Sequence, residues 1–207
     1  MAEVEVGLGK SGRRAYGFDD IAIVPSRRTR DPEDVDIKWE IDAFSLELPL
    51  MASAMDGVVS PQTAIEIGRL GGVGVLNLEG LWTRYEDPMN MLKEISQLDA
   101  EHATRRMQEI YLEPVKLELI SERIKEINAA GVISCASVTP QRTELFSSHL
   151  LESELDLLVI QGTVVTAEHV SKTKEPLNLK TFVRDFPIPT IVGGCASYEA
   201  ALHLMMT

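Results

Sequence analysis

The residues that could do chemistry sit directly behind short apolar runs. Ser53 and Met55 follow Leu48-Pro49-Leu50-Met51-Ala52, and Asn77 follows Gly74-Val75-Leu76. Gln161-Gly162-Thr163 comes after Leu155-Asp156-Leu157-Leu158-Val159-Ile160, and Gly193-Gly194-Cys195 after Pro189-Thr190-Ile191-Val192. Serine, threonine and the two amides donate and accept hydrogen bonds without carrying charge, which suits them to binding rather than acid–base work. Cys195 alone has the chemistry of a nucleophile. No histidine or lysine stands near it in sequence to activate its thiol, so catalysis there is not expected. Cys135, inside the run Val132-Ile133-Ser134-Cys135-Ala136, reads as core. The histidines are scattered at 102, 149, 169 and 203 and read as surface or helix residues. With CxxC and HExxH spacings also absent, no metal site is expected.

The runs that carry these residues are short and apolar, and each is followed at once by Gly, Ser, Thr or Asn or by a polar side chain. Parallel strands buried on both faces read this way. Helices lie between them. Ser60-Pro61 is an N-cap followed by proline at the first helical position, opening Pro61–Leu70, which Gly71-Gly72 closes. Leu117, Ile120, Ile124 and Ile127 recur at helical spacing and stop at Gly131. Weaker helices are expected over Pro140–Leu151 and Asn178–Asp185, and another from Ser197 onward. The charged stretch from Leu81 to Val115 reads as an excursion with one or two short helices. Alternating strands and helices make an α/β fold with a parallel sheet, either doubly wound or closed into a barrel. No glycine-rich phosphate loop follows the first strand, which favours the barrel. Gly7-Leu8-Gly9-Lys10-Ser11-Gly12 does resemble such a loop, but with no strand expected before it, it reads as a flexible arm.

Composition removes several function classes. The chain has 207 residues, with 20 Lys and Arg against 32 Asp and Glu, for a formal net charge of −12. Such a balance repels nucleic-acid phosphates. The one dense basic stretch, Arg27-Arg28-Thr29-Arg30, reads as a solvated turn. No apolar run reaches the roughly 18 residues of a membrane-spanning helix, and the start lacks the pattern of a signal peptide. Two cysteines do not make a disulfide framework, so a cytoplasmic location is the default expectation.

Several segments in fixed order resemble the IMP dehydrogenase/GMP reductase family. Tyr16-Gly17-Phe18-Asp19-Asp20-Ile21-Ala22-Ile23-Val24-Pro25 is similar to the family's lead-in segment, and Asp34-Val35-Asp36-Ile37 fits the family's next segment. Pro49-Leu50-Met51-Ala52-Ser53-Ala54-Met55-Asp56 resembles its first-strand signature. Gly71-Gly72-Val73-Gly74-Val75-Leu76 is similar to its second strand, and Ile191-Val192-Gly193-Gly194 to its fifth. The wording around Asn77–Pro88 and at Gln161-Gly162-Thr163 looks most like the bacterial branch that lacks the regulatory CBS pair.

The resemblance implies a (β/α)8 TIM barrel, about 250 residues when complete. The chain would supply its first five β/α units as one partial domain over 1–207, with a lead-in over 1–47 and the strands and helices over 48–207. It implies a purine-nucleotide site at Ser53, Met55, Gly194 and Cys195, and a nicotinamide-cofactor site at Asn77, Gln161, Gly162 and Thr163. The implied activity is NAD-dependent oxidation of IMP to XMP, in purine and GMP biosynthesis, by a homotetramer. GMP reductase with NADPH and a non-catalytic purine-nucleotide-binding paralogue are the alternatives, and a half-barrel acting only as an assembly partner is a third. Three positions depart from the family: Asn77 where histidine is common, Gln161 where Asp-Ser-Ser usually begins, and Cys195 where asparagine is usual. The family's cysteine nucleophile, phosphate loop, mobile flap and monovalent-cation site all belong to later strands. The chain is therefore expected to be the front part of a longer enzyme and inactive alone.

Overall fold

The structure, a computed structural model, describes residues 3–14, 16–25, 27–162 and 177–207. Contacts group the chain into two units, Met1–Asp36 and Ile37–Thr207. In the first, β1 (Glu3–Gly7) and β2 (Lys10–Arg13) pair antiparallel. This differs from the flexible arm expected at Gly7–Gly12. The charged-apolar alternation Glu3-Val4-Glu5-Val6 has the period of a strand, and Gly9, at φ +68°, supplies the backbone conformation that a two-residue turn demands. Arg27 to Arg30 are exposed in an irregular bend, as a solvated turn should be.

The second unit opens with an antiparallel hairpin, β3 (Trp39–Ile41) and β4 (Phe44–Leu46), which the sequence reading did not foresee. Five parallel strands follow: β5 (Met51–Ala52), β6 (Val73–Asn77), β7 (Cys135–Val138), β8 (Leu157–Gln161) and β9 (Thr190–Gly193). Each pairs with its predecessor in chain order, β5-β6-β7-β8-β9. A doubly wound sheet reverses its strand order part-way, whereas winding in one direction bends a sheet toward a barrel. The unit is thus an α/β fold around a parallel half-barrel sheet. Between the strands run α1 (Pro61–Arg69), α2 (Met89–Ile95), α3 (Ala100–Ile110), α4 (Leu117–Ala129), α5 (Thr143–Glu152) and α6 (Leu179–Asp185), and α7 (Tyr198–Met205) follows β9. The Leu81–Val115 excursion contributes one 3-10 turn, α2 and α3.

Period-two alternation divides the strand side chains between two cores. Leu76, Ala136, Val138, Leu158 and Ile160 face the helices and join Ile65, Ile120, Ile124, Ile127, Phe146 and Leu150. Val73, Val75, Cys135, Leu157 and Val159 face the other way and join Leu46, with Trp39, Ile41 and Phe44 of the hairpin against them. The hairpin therefore closes the inner face of the sheet, and the Trp39 indole N–H donates to the Leu48 carbonyl at 2.7 Å. Helix ends follow the sequence signals. The Ser60 hydroxyl accepts from the Thr63 N–H at 3.0 Å while Thr63 Oγ1 accepts from the Ser60 N–H at 2.7 Å, a reciprocal cap on α1. Gly131, at φ +72°, ends α4. The helix expected from Pro140 begins only at Thr143, after a turn.

Candidate functional site

The polar residues that end the strands gather at one edge of the sheet. A depression of about 390 Å³ is lined by Ala54, Asn77, Glu79, Ser137, Thr139, Gln161 and Gly162 among others. In barrel folds the C-terminal ends of the strands carry the chemistry, and this depression lies there. Asn77 ends β6, and its Oδ1 accepts from the Glu79 N–H at 3.0 Å. The Leu78 N–H donates to the Ser137 carbonyl at 3.1 Å, carrying the β6–β7 ladder one residue further. Gly162 and Gly194 are locked together. The Gly162 N–H donates to the Gly193 carbonyl and the Gly194 N–H to the Gly162 carbonyl, both at 2.9 Å.

Glu79 was not singled out in the sequence reading. Its Oε2 accepts from the Thr139 N–H at 2.6 Å, and Arg142 Nε stands 3.8 Å from Oε1. Arg84 donates to the Glu79 carbonyl at 3.1 Å. The only sequence signal was position, two residues beyond Asn77 in the same loop.

A second, more apolar depression of about 720 Å³ adjoins the first across Ala54 and Asn77. Met55, Trp82, Leu92, Met107 and Tyr111 form much of its wall, with α1 contributing Ser60 and Thr63 at its capped end. Asp56 anchors it. Asp56 Oδ2 accepts from the Leu81 N–H at 3.0 Å and from the Tyr111 hydroxyl, and the Asp56 carbonyl accepts from the Trp82 indole at 3.3 Å. The guanidinium of Arg84 lies over the Tyr111 ring, 5.2 Å from its centroid. Asp56 Oδ1 has no hydrogen-bond partner among the described residues and faces Gly80, where a Cβ would fall 1.9 Å from it. Burial raises the Asp56 pKa above its ordinary 3.8, against the opposing pull of the Tyr111 hydroxyl, the Leu81 N–H and Arg84. The Tyr111 phenol is pushed up as well, first by burial and then by its hydrogen bond to the Asp56 carboxylate.

That shift has a consequence for stability. A carboxyl whose folded pKa lies above the unfolded one binds its proton more tightly in the folded state. Stability is then lost as pH rises from the ordinary value through the folded one. Asp56→Asn keeps an acceptor for the Leu81 N–H and removes the charge. It is expected to flatten the decline in unfolding free energy as pH rises above about 4. Urea unfolding at a series of pH values measures this, and a variant whose profile parallels the wild type contradicts it.

The remaining expected site residues are distributed unevenly. Asn77, Gln161 and Gly162 share the polar depression, and Met55 lines the apolar one beside Asn77. Ser53, Gly194 and Cys195 are exposed, and none of them lines either depression. Thr163 and His169 lie outside the described residues. Cys135 is fully buried and burial pushes its thiol up to about 12, so it is core, as its place in a strand implied. Among the described residues no group of three or more His, Cys, Asp or Glu is placed to hold a metal ion. No described helix is long and apolar enough to cross a membrane. A further depression, of about 350 Å³, lies around Glu47, Gly71, Gly131 and Ile133 at the opposite ends of the strands and brings none of the candidate residues together.

Residues 15–207 match the model of the IMP dehydrogenase / GMP reductase domain. The chain belongs to this family. An uncharacterized oxidoreductase of Mycolicibacterium smegmatis is 42% identical over 99% of the chain, and one of Mycobacterium tuberculosis is 44% identical over the same share. Each match covers 56% of the relative, so the chain spans about half the length of these proteins. The inosine-5'-monophosphate dehydrogenase of Borreliella burgdorferi is 24% identical over 95% of the chain and 52% of its own length. Among solved structures, the IMP dehydrogenase/GMP reductase-like protein of Corynebacterium glutamicum superposes with a TM-score of 0.87. It is 42% identical and covers 98% of this chain and 54% of its own. Family membership accounts for the half-barrel sheet.

Proposed function

We propose that this chain supplies the first-strand half of an IMP dehydrogenase active site, and that the complete protein oxidises IMP to XMP with NAD in purine nucleotide biosynthesis. The observation that carries the reading is the convergence of Asn77, Gln161 and Gly162 in one polar depression at the C-terminal strand ends, within a chain of this family. The donor set fits a nicotinamide nucleotide. Two neutral amides, a backbone glycine and one carboxylate can hold ribose hydroxyls or a carboxamide without opposing the positive nicotinamide ring. NAD, when bound, supplies the hydride acceptor. Asn77, Gln161, Gly162 and Thr163 would hold and orient it. Ser53, Met55, Gly194 and Cys195 would contact the purine nucleotide, with the exposed Met55 side chain as an apolar surface for the base. The cysteine nucleophile and a monovalent-cation site would come from the remainder of a full barrel, and a cytoplasmic homotetramer is the assembly we propose.

A second reading follows from Gln161, a neutral amide where the family usually carries a carboxylate. Charged hydrogen bonds are the stronger kind, so this departure favours a purine-nucleotide-binding paralogue without turnover. Following NADH absorbance with IMP and NAD, for the complete protein and for this chain, separates the two. The dehydrogenase reading expects NADH from the complete protein only. Binding of IMP without NADH formation supports the paralogue instead.

A further inference from the structure

Among the described residues the polar depression contains one carboxylate, and it comes from a different strand than the family pattern would suggest. Glu79, in the loop after β6, lines the depression together with Gln161 at the end of β8. Its side chain is 21% exposed, so it is half-sheltered from water yet open to a ligand. Three hydrogen bonds fix its position: its own N–H to Asn77 Oδ1, Thr139 N–H to its Oε2, and Arg84 to its carbonyl, at 3.0, 2.6 and 3.1 Å. The other carboxylate oxygen, Oε1, accepts no hydrogen bond from any described residue. Arg142 Nε, at 3.8 Å, is within ion-pair reach but beyond a hydrogen bond.

We infer that Glu79 is the residue that recognises a ribose diol of the nicotinamide cofactor, its Oε1, which no described residue hydrogen-bonds, accepting from the sugar hydroxyls between the amides of Asn77 and Gln161. The inference rests on the NAD-dependent reading above. A fixed carboxylate is the standard acceptor for a ribose hydroxyl, and a preorganised one loses little freedom on binding. The same charge opposes a phosphate ester on that sugar. Glu79 thereby restores, from β6, the charged acceptor that Gln161 cannot provide. A purely structural account ties Glu79 to Thr139 through Oε2 and to Arg142 by an ion pair at 3.8 Å, and still leaves Oε1 without a hydrogen-bond donor among the described residues.

Glu79→Gln tests this, because glutamine keeps an acceptor for the Thr139 N–H and removes only the charge. Binding of NAD, NADP and nicotinamide mononucleotide to the complete protein would be measured by calorimetry, which needs no turnover. E79Q is expected to weaken NAD binding roughly tenfold or more, the size of a charged hydrogen bond to a hydroxyl. If the mononucleotide weakens equally, the nicotinamide ribose is the partner. If the mononucleotide is unaffected and NADP gains on NAD, the partner is the adenosine ribose. NAD affinity and the NAD-to-NADP ratio both within twofold of wild type would overturn the inference while leaving the dehydrogenase reading standing. Failure of the wild-type protein to bind any of the three overturns both. Should E79Q not fold, a crystal structure of the wild-type protein with NAD decides, by whether a ribose oxygen lies within hydrogen-bond distance of Glu79.

Discussion

Leu158→Ala is expected to lower the unfolding free energy by roughly 3–4 kcal/mol, a large share of the 5–15 kcal/mol typical of a domain. Leu158 is fully buried in β8, paired on one side with Ala136 of β7 and on the other with Thr190 of β9. It belongs to the core on the helix side of the sheet, with Ile120, Ile124, Phe146 and Leu150. Ladders on both flanks hold the strand in place, so the space left by three lost carbons cannot close by moving the backbone. The transfer and cavity costs then add. With a urea m-value near 2 kcal/mol/M, the midpoint should fall by roughly 1.5–2 M. Leu158→Met, which conserves volume, should cost less than about 1.5 kcal/mol. Equal midpoint shifts for the two variants would show that packing at this position does not limit stability.

Gly74→Val is expected to cost about 3 kcal/mol or more and to disturb the site as well as the fold. A Cβ at Gly74 would lie 2.6 Å from Ala64 Cα and 3.0 Å from Ala64 Cβ, where α1 crosses β6. The obstacle is helix backbone, which no rotamer change relieves, so α1 has to move away from the sheet. Its capped N-terminus, with Ser60 and Thr63, borders the apolar depression, and a displaced helix carries that wall with it. Ala64→Gly should not rescue the variant, because the nearest atom is the Cα that glycine retains. Thermal unfolding of the single and double variants is the measurement. Full recovery in the double variant would place the conflict at the Ala64 methyl instead.

Local order along the chain was largely open to a reader of the residues. The apolar runs at 74–76, 155–160 and 189–192 became β6, β8 and β9 with small changes of boundary, since a strand buried on both faces needs uninterrupted apolar side chains. The Ser60-Pro61 cap and Gly131 marked real helix ends because both act through their own backbone neighbours. The hairpins were another matter. Trp39–Ile41 and Phe44–Leu46 are too short for a periodic signal, and β1–β2 was hidden by its resemblance to a glycine-rich loop.

What the amino-acid sequence determined alone was the series of parallel strands and the helices between them, the family resemblance and the residues that end each strand. The tertiary structure supplied the strand order, which agrees with the barrel expected from the sequence and excludes a doubly wound sheet. It also decided which candidates meet: Asn77, Gln161 and Gly162 in one depression, with Ser53, Gly194 and Cys195 exposed outside both. Asp56 meets Tyr111 from 55 positions away, and Glu79 meets Thr139 from 60. Periodicity and capping act over a few residues along the chain. A hydrogen bond across the mouth of a sheet depends on how strands and loops are stacked, and no local pattern records that.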